Sequence, residues 1–491
     1  MSVITQYLIV IVIYFVAMLG IGVLAGRKIT SDGDDYFLAK DKLSAAAIGF
    51  SFSATQMSGS TYLGTVGTLS TIGYPFVPGA LSSAAAPWFC YILLGDRVRQ
   101  VARLKSVTLG DIIESRYGKA ASVLSTCLML VCLIPAVAGQ LKAAGSAFQV
   151  LLNMPYMTAI IVFGTIVLVY TLLGGMFAVA WTDLVQGIIM VVGILIMVPV
   201  CLGKVGGLTA MNEAFAQINP QGASLTSGQP MMWVISGFLV WGFYQIGGQP
   251  AATTRFLTTS DGKTMKKALS YSIVFESVIY LGISILAFCA LPLLVGVDIP
   301  SSDMTLPLLI REYLHPLLGG VILAAALGAM MSTVDSVLLL ISSLVVNDIY
   351  VKRMHGDMES KKAINIGRIA IVVASLLGFL IAMDPPDAIV WILTTGFSVQ
   401  AAAFTFPLLL GLWWPGATKA GGLCGIISGA VMAIVWYVLG YIQFHSLSAW
   451  PGGIWPAVIG SIVSLVVCIV VSKFTPKSSE AELEVFFNEQ D

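Results

Sequence analysis

The sequence predicts an all-α integral membrane protein of about thirteen transmembrane helices, and three observations carry that expectation. Hydrophobic residues make up 57% and charged residues only 10% of the chain, with a mean hydropathy of +0.92. A soluble domain carries about 25% charged residues. Apolar runs of about 20 residues, enough to cross a hydrocarbon core of roughly 30 Å, recur from the first residues almost to the last. The second and seventh of these runs are interrupted by small polar residues, glycine or proline, which is the pattern of an inverted-repeat transporter.

Taken in order, the first run, Ile4 to Ala25, is too long for a signal peptide and its basic pair, Arg27 and Lys28, follows it. It reads as a retained span. The others centre near residues 55, 87, 132, 167, 195, 243, 283, 330, 373, 400, 432 and 464. Residues 1–477 therefore form one transmembrane domain: spans 2–6 (43–206) and 7–11 (231–413) as two repeats, with span 1 and spans 12–13 (421–473) peripheral. Residues 478–491 are a short acidic tail.

With the N-terminus outside and the C-terminus cytoplasmic, 22 of the 25 Lys and Arg residues fall in cytoplasmic loops. Only Lys142, Lys204 and Arg311 fall on the other side. This suits a bacterial cytoplasmic membrane. Formal net charge is zero, which offers no field for nucleic acid. The seven cysteines are scattered singly and read as buried small hydrophobes.

Polar residues inside a bilayer are costly, so their positions are informative. Four clusters stand out: "SFSATQMSGSTYLG" (51–64) in span 2, "WTDLVQG" (181–187) entering span 6, "WGFYQIGGQPAATTRF" (241–256) in span 7 and "ALGAMMSTVDS" (326–336) in span 9. Gly247, Gly248 and Pro250 forbid a regular helix in span 7. Helical spacing sets the Ala329 carbonyl and the Ser332 and Thr333 hydroxyls at one point, and Ser332, Asp335 and Ser336 one turn on. Oxygen-only ligands suit a hard cation, here Na⁺. Asp183 reads either as a cation ligand or as a helix cap, and Glu276 and Lys142 as paired or interfacial.

On these residues the chain resembles the sodium:solute symporter family, through "ATQMSGSTYLG", "YTLLGGMFAVAWTDLVQG", "GGQPAATTRF" and "AAALGAMMSTVDS" in order. The resemblance implies a LeuT-like five-plus-five inverted repeat with broken helices in spans 2 and 7. It also implies a Na⁺ site made by the carbonyls of Ala54 and Met57, the Ala329 carbonyl, and the Ser332 and Thr333 hydroxyls. Some members have a second cation site, which here would involve Asp183, Asp335 and Ser336.

Solute-pocket candidates are Gln56, Ser60, Thr61, Tyr244, Gln249 and Gln400, all neutral. Proline carriers have an aspartate where this chain has Gln56, and sialic acid carriers a serine where it has Asp335. Asp335 is thus open as a ligand of Na⁺, a proton carrier or neither. "SGSTYLG", "PPDAIVWIL" and "FPLLLGLWW" look most like the pantothenate branch. The expected function is Na⁺-coupled import of a small carboxylate such as pantothenate. Proline, another amino acid or a short monocarboxylate is the alternative. A transporter-like sensor or a channel is the reading from another class. No enzyme motif is present, and no protein partner is implied beyond the lipid bilayer and the solute.

Overall fold

The computed structural model describes residues 2–26, 43–98, 108–226, 228–250, 256, 261–357, 360–385 and 387–487. Arg27, Lys28, Lys40, Lys42, Arg99, Arg103, Lys105 and Arg255, and residues 251–255 of the span 7 motif, lie outside them. The described residues are helical with no strand among them, as predicted. Eleven helical segments are long and apolar enough to cross a membrane. The difference from thirteen lies in two places: span 2 is divided by its break, and Tyr156–Leu172 is shorter than the rest.

Helical hydrogen bonding runs unbroken over Tyr156–Val205, which contains spans 5 and 6. The chain must nonetheless bend within it. The Tyr170 and Thr182 hydroxyls bond to each other, whereas a straight helix would set them about 18 Å apart.

Span 2 starts at Ala45, where the Ser44 side chain accepts from the Ala47 N–H, and its first half ends at Gln56. Met57 is extended (φ −73°, ψ 112°). The chain resumes as a π-turn, Ser60–Gly64, and a helix, Thr65–Ile72. Span 7 runs from Met231 to Phe243, widens to a π-turn over Tyr244–Gly248, and becomes non-helical at Gln249 (φ −126°, ψ 74°). Span 11 (Ile389–Trp413) presses on that turn: a Cβ on Gly247 would lie 2.6 Å from the Thr405 amide nitrogen. Glycine is required there by close approach.

Burial separates the spans. Span 9 (Pro316–Met354) and span 11 are each 83% buried in their apolar core, whereas span 1 and span 10 (Lys361–Met383) are 28% buried. An apolar helix exposed on most of its surface faces lipid; one buried all round carries the polar interior. The most enclosed spans are accordingly the ones against the two breaks. Six cysteines are buried or partly so, but Cys127 is exposed on span 4 (Lys119–Leu152), where lipid rather than packing surrounds it.

Outside the spans, Thr108 and Asp111 cap the helix Leu109–Tyr117 reciprocally. Asp348, at the far end of span 9, accepts from Thr108 (2.8 Å) and Thr126 (2.7 Å). Glu114 meets Arg353 at 2.8 Å and Lys352 at 3.1 Å. The buried Arg116 donates to the carbonyls of Gly411 (2.9 Å) and Ala417 (2.7 Å), satisfying the end of span 11. The tail helix, Glu480–Phe487, docks back on the body, with Phe486 buried and its carbonyl 3.1 Å from Arg97.

Candidate functional site

A helix that stops inside a membrane frees backbone groups that no water can meet. At the span 2 break several of these groups have partners from other spans or from neighbouring side chains. The Gly59 N–H donates to Gln140 Oε1 of span 4 at 2.7 Å. Ser58 and Thr61 bond to each other's N–H through their hydroxyls, at 3.3 and 3.4 Å. The Ala54 carbonyl lies 2.8 Å from the Ser332 hydroxyl. The Thr333 hydroxyl lies 3.0 Å from the Met57 carbonyl, 3.2 Å from that of Thr55 and 3.1 Å from that of Ala329.

All five atoms expected of the first cation site thus meet, with the Thr55 carbonyl as a sixth. Two hydroxyls supply only two hydrogens, and four carbonyls compete for them. The cluster is all oxygen, with more acceptors than donors and no ionised group. A desolvated hard cation of low charge is what such a set can hold.

The second group sits one turn along span 9. Ser51 donates to Asp183 at 2.6 Å, Thr171 donates to Asp335 at 2.5 Å, and the Thr55 and Ser336 hydroxyls are 3.0 Å apart. Asp183 is fully buried and accepts from Ser51, one residue beyond the Tyr170–Thr182 contact across which the chain bends. Hydroxyls thus link Asp183 to span 2 and Asp335 to span 5, and both acids are fully buried.

The pocket candidates divide. Gln56 accepts a hydrogen bond from the Gln245 amide, so the two broken helices touch through a pair of side-chain amides. That leaves Gln56 Nε2 and Gln245 Oε1 buried without partners. One bond between two primary amides always leaves one donor and one acceptor, whichever way either amide is turned. Gln400 is fully buried with neither amide atom bonded, on the span that covers the second break. Gln249 is half-buried at that break. Ser60 lies buried in the π-turn, and its carbonyl accepts from Thr65 at 3.1 Å.

Thr61 and Tyr244 are occupied otherwise. The Thr61 hydroxyl serves the break, and the Tyr244 hydroxyl bonds to Ser398 at 2.7 Å, which in turn meets Tyr437 at 3.0 Å. The sequence expectation omitted Gln140 and Gln245. A lone amide in an otherwise apolar span, as in "PAVAGQLKAAG", is the signal that could have found Gln140. Nothing in the sequence says which backbone N–H it would reach.

The pattern of the sodium:solute symporter family matches residues 36–429. The chain belongs to this family. It is therefore a carrier coupling a small solute to sodium, and not an enzyme. The osmoregulated proline transporter of Bacillus subtilis is 27% identical over 481 residues, covering 96% of each chain. The sodium/proline symporter of Staphylococcus aureus is 28% identical over 483 residues, covering 96% of this chain and 93% of that one.

Among solved structures, a Na⁺-coupled sialic acid symporter in a substrate-bound outward-open state superposes with a TM-score of 0.80 at 20% identity, over 97% of this chain and 99% of that one. A nucleobase-cation-symport-1 family transporter gives 0.55 at 12% identity, over 92% and 97%. At these identities the likeness establishes the shared fold, the LeuT-like inverted repeat. The pantothenate expected from branch-level motifs finds no support in these relatives. Short apolar motifs such as "FPLLLGLWW" record packing against lipid and neighbouring helices, which solute identity does not dictate.

Proposed function

We propose that this symporter imports a small zwitterionic amino acid, with proline first among those to test, together with Na⁺ bound between spans 2 and 9. The observation that carries the solute class is the amide pair: Gln56 and Gln245 leave one donor and one acceptor side by side, buried and unpartnered. A carboxylate meets the donor and a substituted ammonium the acceptor. Buried polar groups left unpaired are expensive, so a solute that satisfies both is favoured over one that satisfies either. The two proline-carrying relatives support the same class.

The Na⁺ ligands in this reading are the carbonyls of Ala54, Met57 and Ala329 and the hydroxyls of Ser332 and Thr333. Bound there, Na⁺ takes up the lone pairs that two hydroxyl hydrogens leave over and fixes the break in span 2. The backbone from Met57 to Ser60 is then pre-ordered for the solute, and each ligand strengthens binding of the other by the same factor. Asp183, Asp335 and Ser336 form a second cation site in this reading. With the N-terminus outside, one Na⁺ moving inward through 100 mV releases about 2.3 kcal/mol. At about 1.4 kcal/mol per factor of ten, that sustains an approximately fiftyfold solute gradient.

The test is uptake into proteoliposomes of proline, other small amino acids, pantothenate, short monocarboxylates and a sugar, with and without a Na⁺ gradient. Na⁺-dependent, saturable proline accumulation is expected. Accumulation of pantothenate or a monocarboxylate with no amino acid transported would overturn the solute class. Uptake indifferent to Na⁺ would overturn the coupling.

A further inference from the structure

Glu276 lies in the middle of span 8 (Gly262–Leu293) and is fully buried. Its only hydrogen bonds come to Oε1, from Ser53 of span 2 at 2.9 Å and from Ser272, one turn back on its own helix, at 3.2 Å. Oε2 has no partner, and no basic side chain among the described residues pairs with the carboxylate. The pairing expected of Glu276 from sequence is therefore not what the structure has. Lys142, its companion in that expectation, is paired with Asp303 at 3.1 Å.

An ionised carboxylate at this depth, half satisfied and without a counter-ion, is costly. What surrounds it is oxygen. The Ser53 hydroxyl lies 2.5 Å from the Ser272 hydroxyl and 3.4 Å from the Ser272 carbonyl, so two hydroxyls, a carbonyl and both carboxylate oxygens gather at one place. The Ser53 hydroxyl stands within hydrogen-bond distance of Glu276 Oε1, the Ser272 hydroxyl and the Ser272 carbonyl, and its one hydrogen can serve only one of them, which leaves oxygen lone pairs in excess over hydrogens. Glu276 Oε2 has no hydrogen-bond partner, and a small cation bridging the carboxylate and the serine oxygens would supply the contact it lacks. One carboxylate balances one positive charge. A divalent ion, which takes six or more oxygen ligands and usually retains water, is poorly matched to five dry oxygens.

We propose that Glu276, Ser53 and Ser272 bind a further monovalent alkali cation, Na⁺ under working conditions, at a site separate from the two clusters on span 9. Separation follows from the helix: Ser51, which serves Asp183, and Ser53, which serves Glu276, are two residues apart and so point about 200° from each other around span 2. The sites are nonetheless linked through the backbone, since Ser53 precedes Ala54, whose carbonyl faces Ser332. A cation at Glu276 therefore ties the first half of span 2 to span 8 and steadies the carbonyl that the span 9 site uses. The proposal rests on the chain being a sodium carrier but not on which solute it carries.

The test is equilibrium binding of radioactive Na⁺ to the purified full chain in lipid nanodiscs. Glu276→Gln is expected to bind one Na⁺ fewer than the natural protein. The double variant Ser332→Ala, Thr333→Ala is expected to lose a different one, so that combining all three substitutions removes both. Equal Na⁺ counts in the natural protein and Glu276→Gln overturn the proposal. Equal counts together with a flattened pH profile of uptake overturn it in favour of a proton. If Glu276→Gln is not monodisperse, Ser53→Ala, which keeps the acid, decides: its Na⁺ half-saturation is expected to rise about tenfold, and an unchanged value overturns the site. The count is read without any solute, so failure of the transport reading leaves it intact.

Discussion

The Gly59 N–H donates to Gln140 Oε1 at 2.7 Å, and this single bond holds the unwound centre of span 2 to span 4. It meets a backbone donor that a helix would have satisfied and that the membrane interior cannot. Gln140→Leu removes the acceptor and is expected to lower stability by about 1–3 kcal/mol. Thermal unfolding in detergent with and without Na⁺ checks this; an unchanged melting temperature in the variant would show that the bond does not hold the break.

Ser332→Ala and Thr333→Ala each remove one of the two hydroxyls that face four carbonyls. We expect Thr333→Ala to do more harm, because its hydroxyl touches three carbonyls and Ser332 two. The Na⁺ concentration for half-maximal uptake should rise by about tenfold or more, equivalent to about 1.4 kcal/mol. Unchanged Na⁺ dependence in the double variant would place the ion elsewhere.

Asp303 is fully enclosed and accepts from the Ile389 N–H at 3.2 Å as well as pairing with Lys142. Burial raises its pKa, and the Lys142 charge and the two kinds of hydrogen bond oppose this without cancelling it. Lys142→Met leaves a buried carboxylate unpaired and is expected to cost about 3–5 kcal/mol. The double variant Lys142→Met, Asp303→Asn should recover part of that loss in the same thermal assay.

Glu114 gives a pH signature. Its partial burial raises the pKa, but bonds and charges from Arg353 and Lys352 outweigh this, and the net shift is downward from 4.5. A depressed folded-state pKa means the added stability is present above the unfolded value and is lost as pH falls through the folded one. Melting temperature should therefore drop on acidification from pH 5 to below 4.5, and Glu114→Gln should flatten that part of the profile. An unaltered profile in the variant would remove Glu114 from the account.

Gly247 lies where span 11 meets the second break, with the Thr405 amide nitrogen 2.6 Å from where a Cβ would be. Backbone cannot yield as a flexible side chain can. Gly247→Ala is expected to abolish uptake while Gly242→Ala, which has open space around it, leaves uptake near its natural level.

The spans, the two interrupted helices and the meeting of Ala329, Ser332 and Thr333 are legible in the sequence because each rests on local rules. Apolar length selects a spanning helix, glycine and clustered hydroxyls weaken one, and helical spacing fixes which neighbours share a face. The Ala54 and Met57 carbonyls came through family resemblance, since a backbone atom carries no residue signature. Only tertiary structure brings Gln140 to Gly59, Gln245 to Gln56, Lys142 to Asp303 and Ser53 to Glu276. Those partners stand 81 to 223 positions apart along the chain, and one amide or acid looks like another until packing decides what each can reach. The sequence by itself determined that this membrane protein breaks two helices to carry an ion and a solute. Which side chains complete the broken backbone, and which carboxylate is left without a counter-ion, was decided by how the spans pack, because in a dry interior every polar group must take the partner that geometry offers.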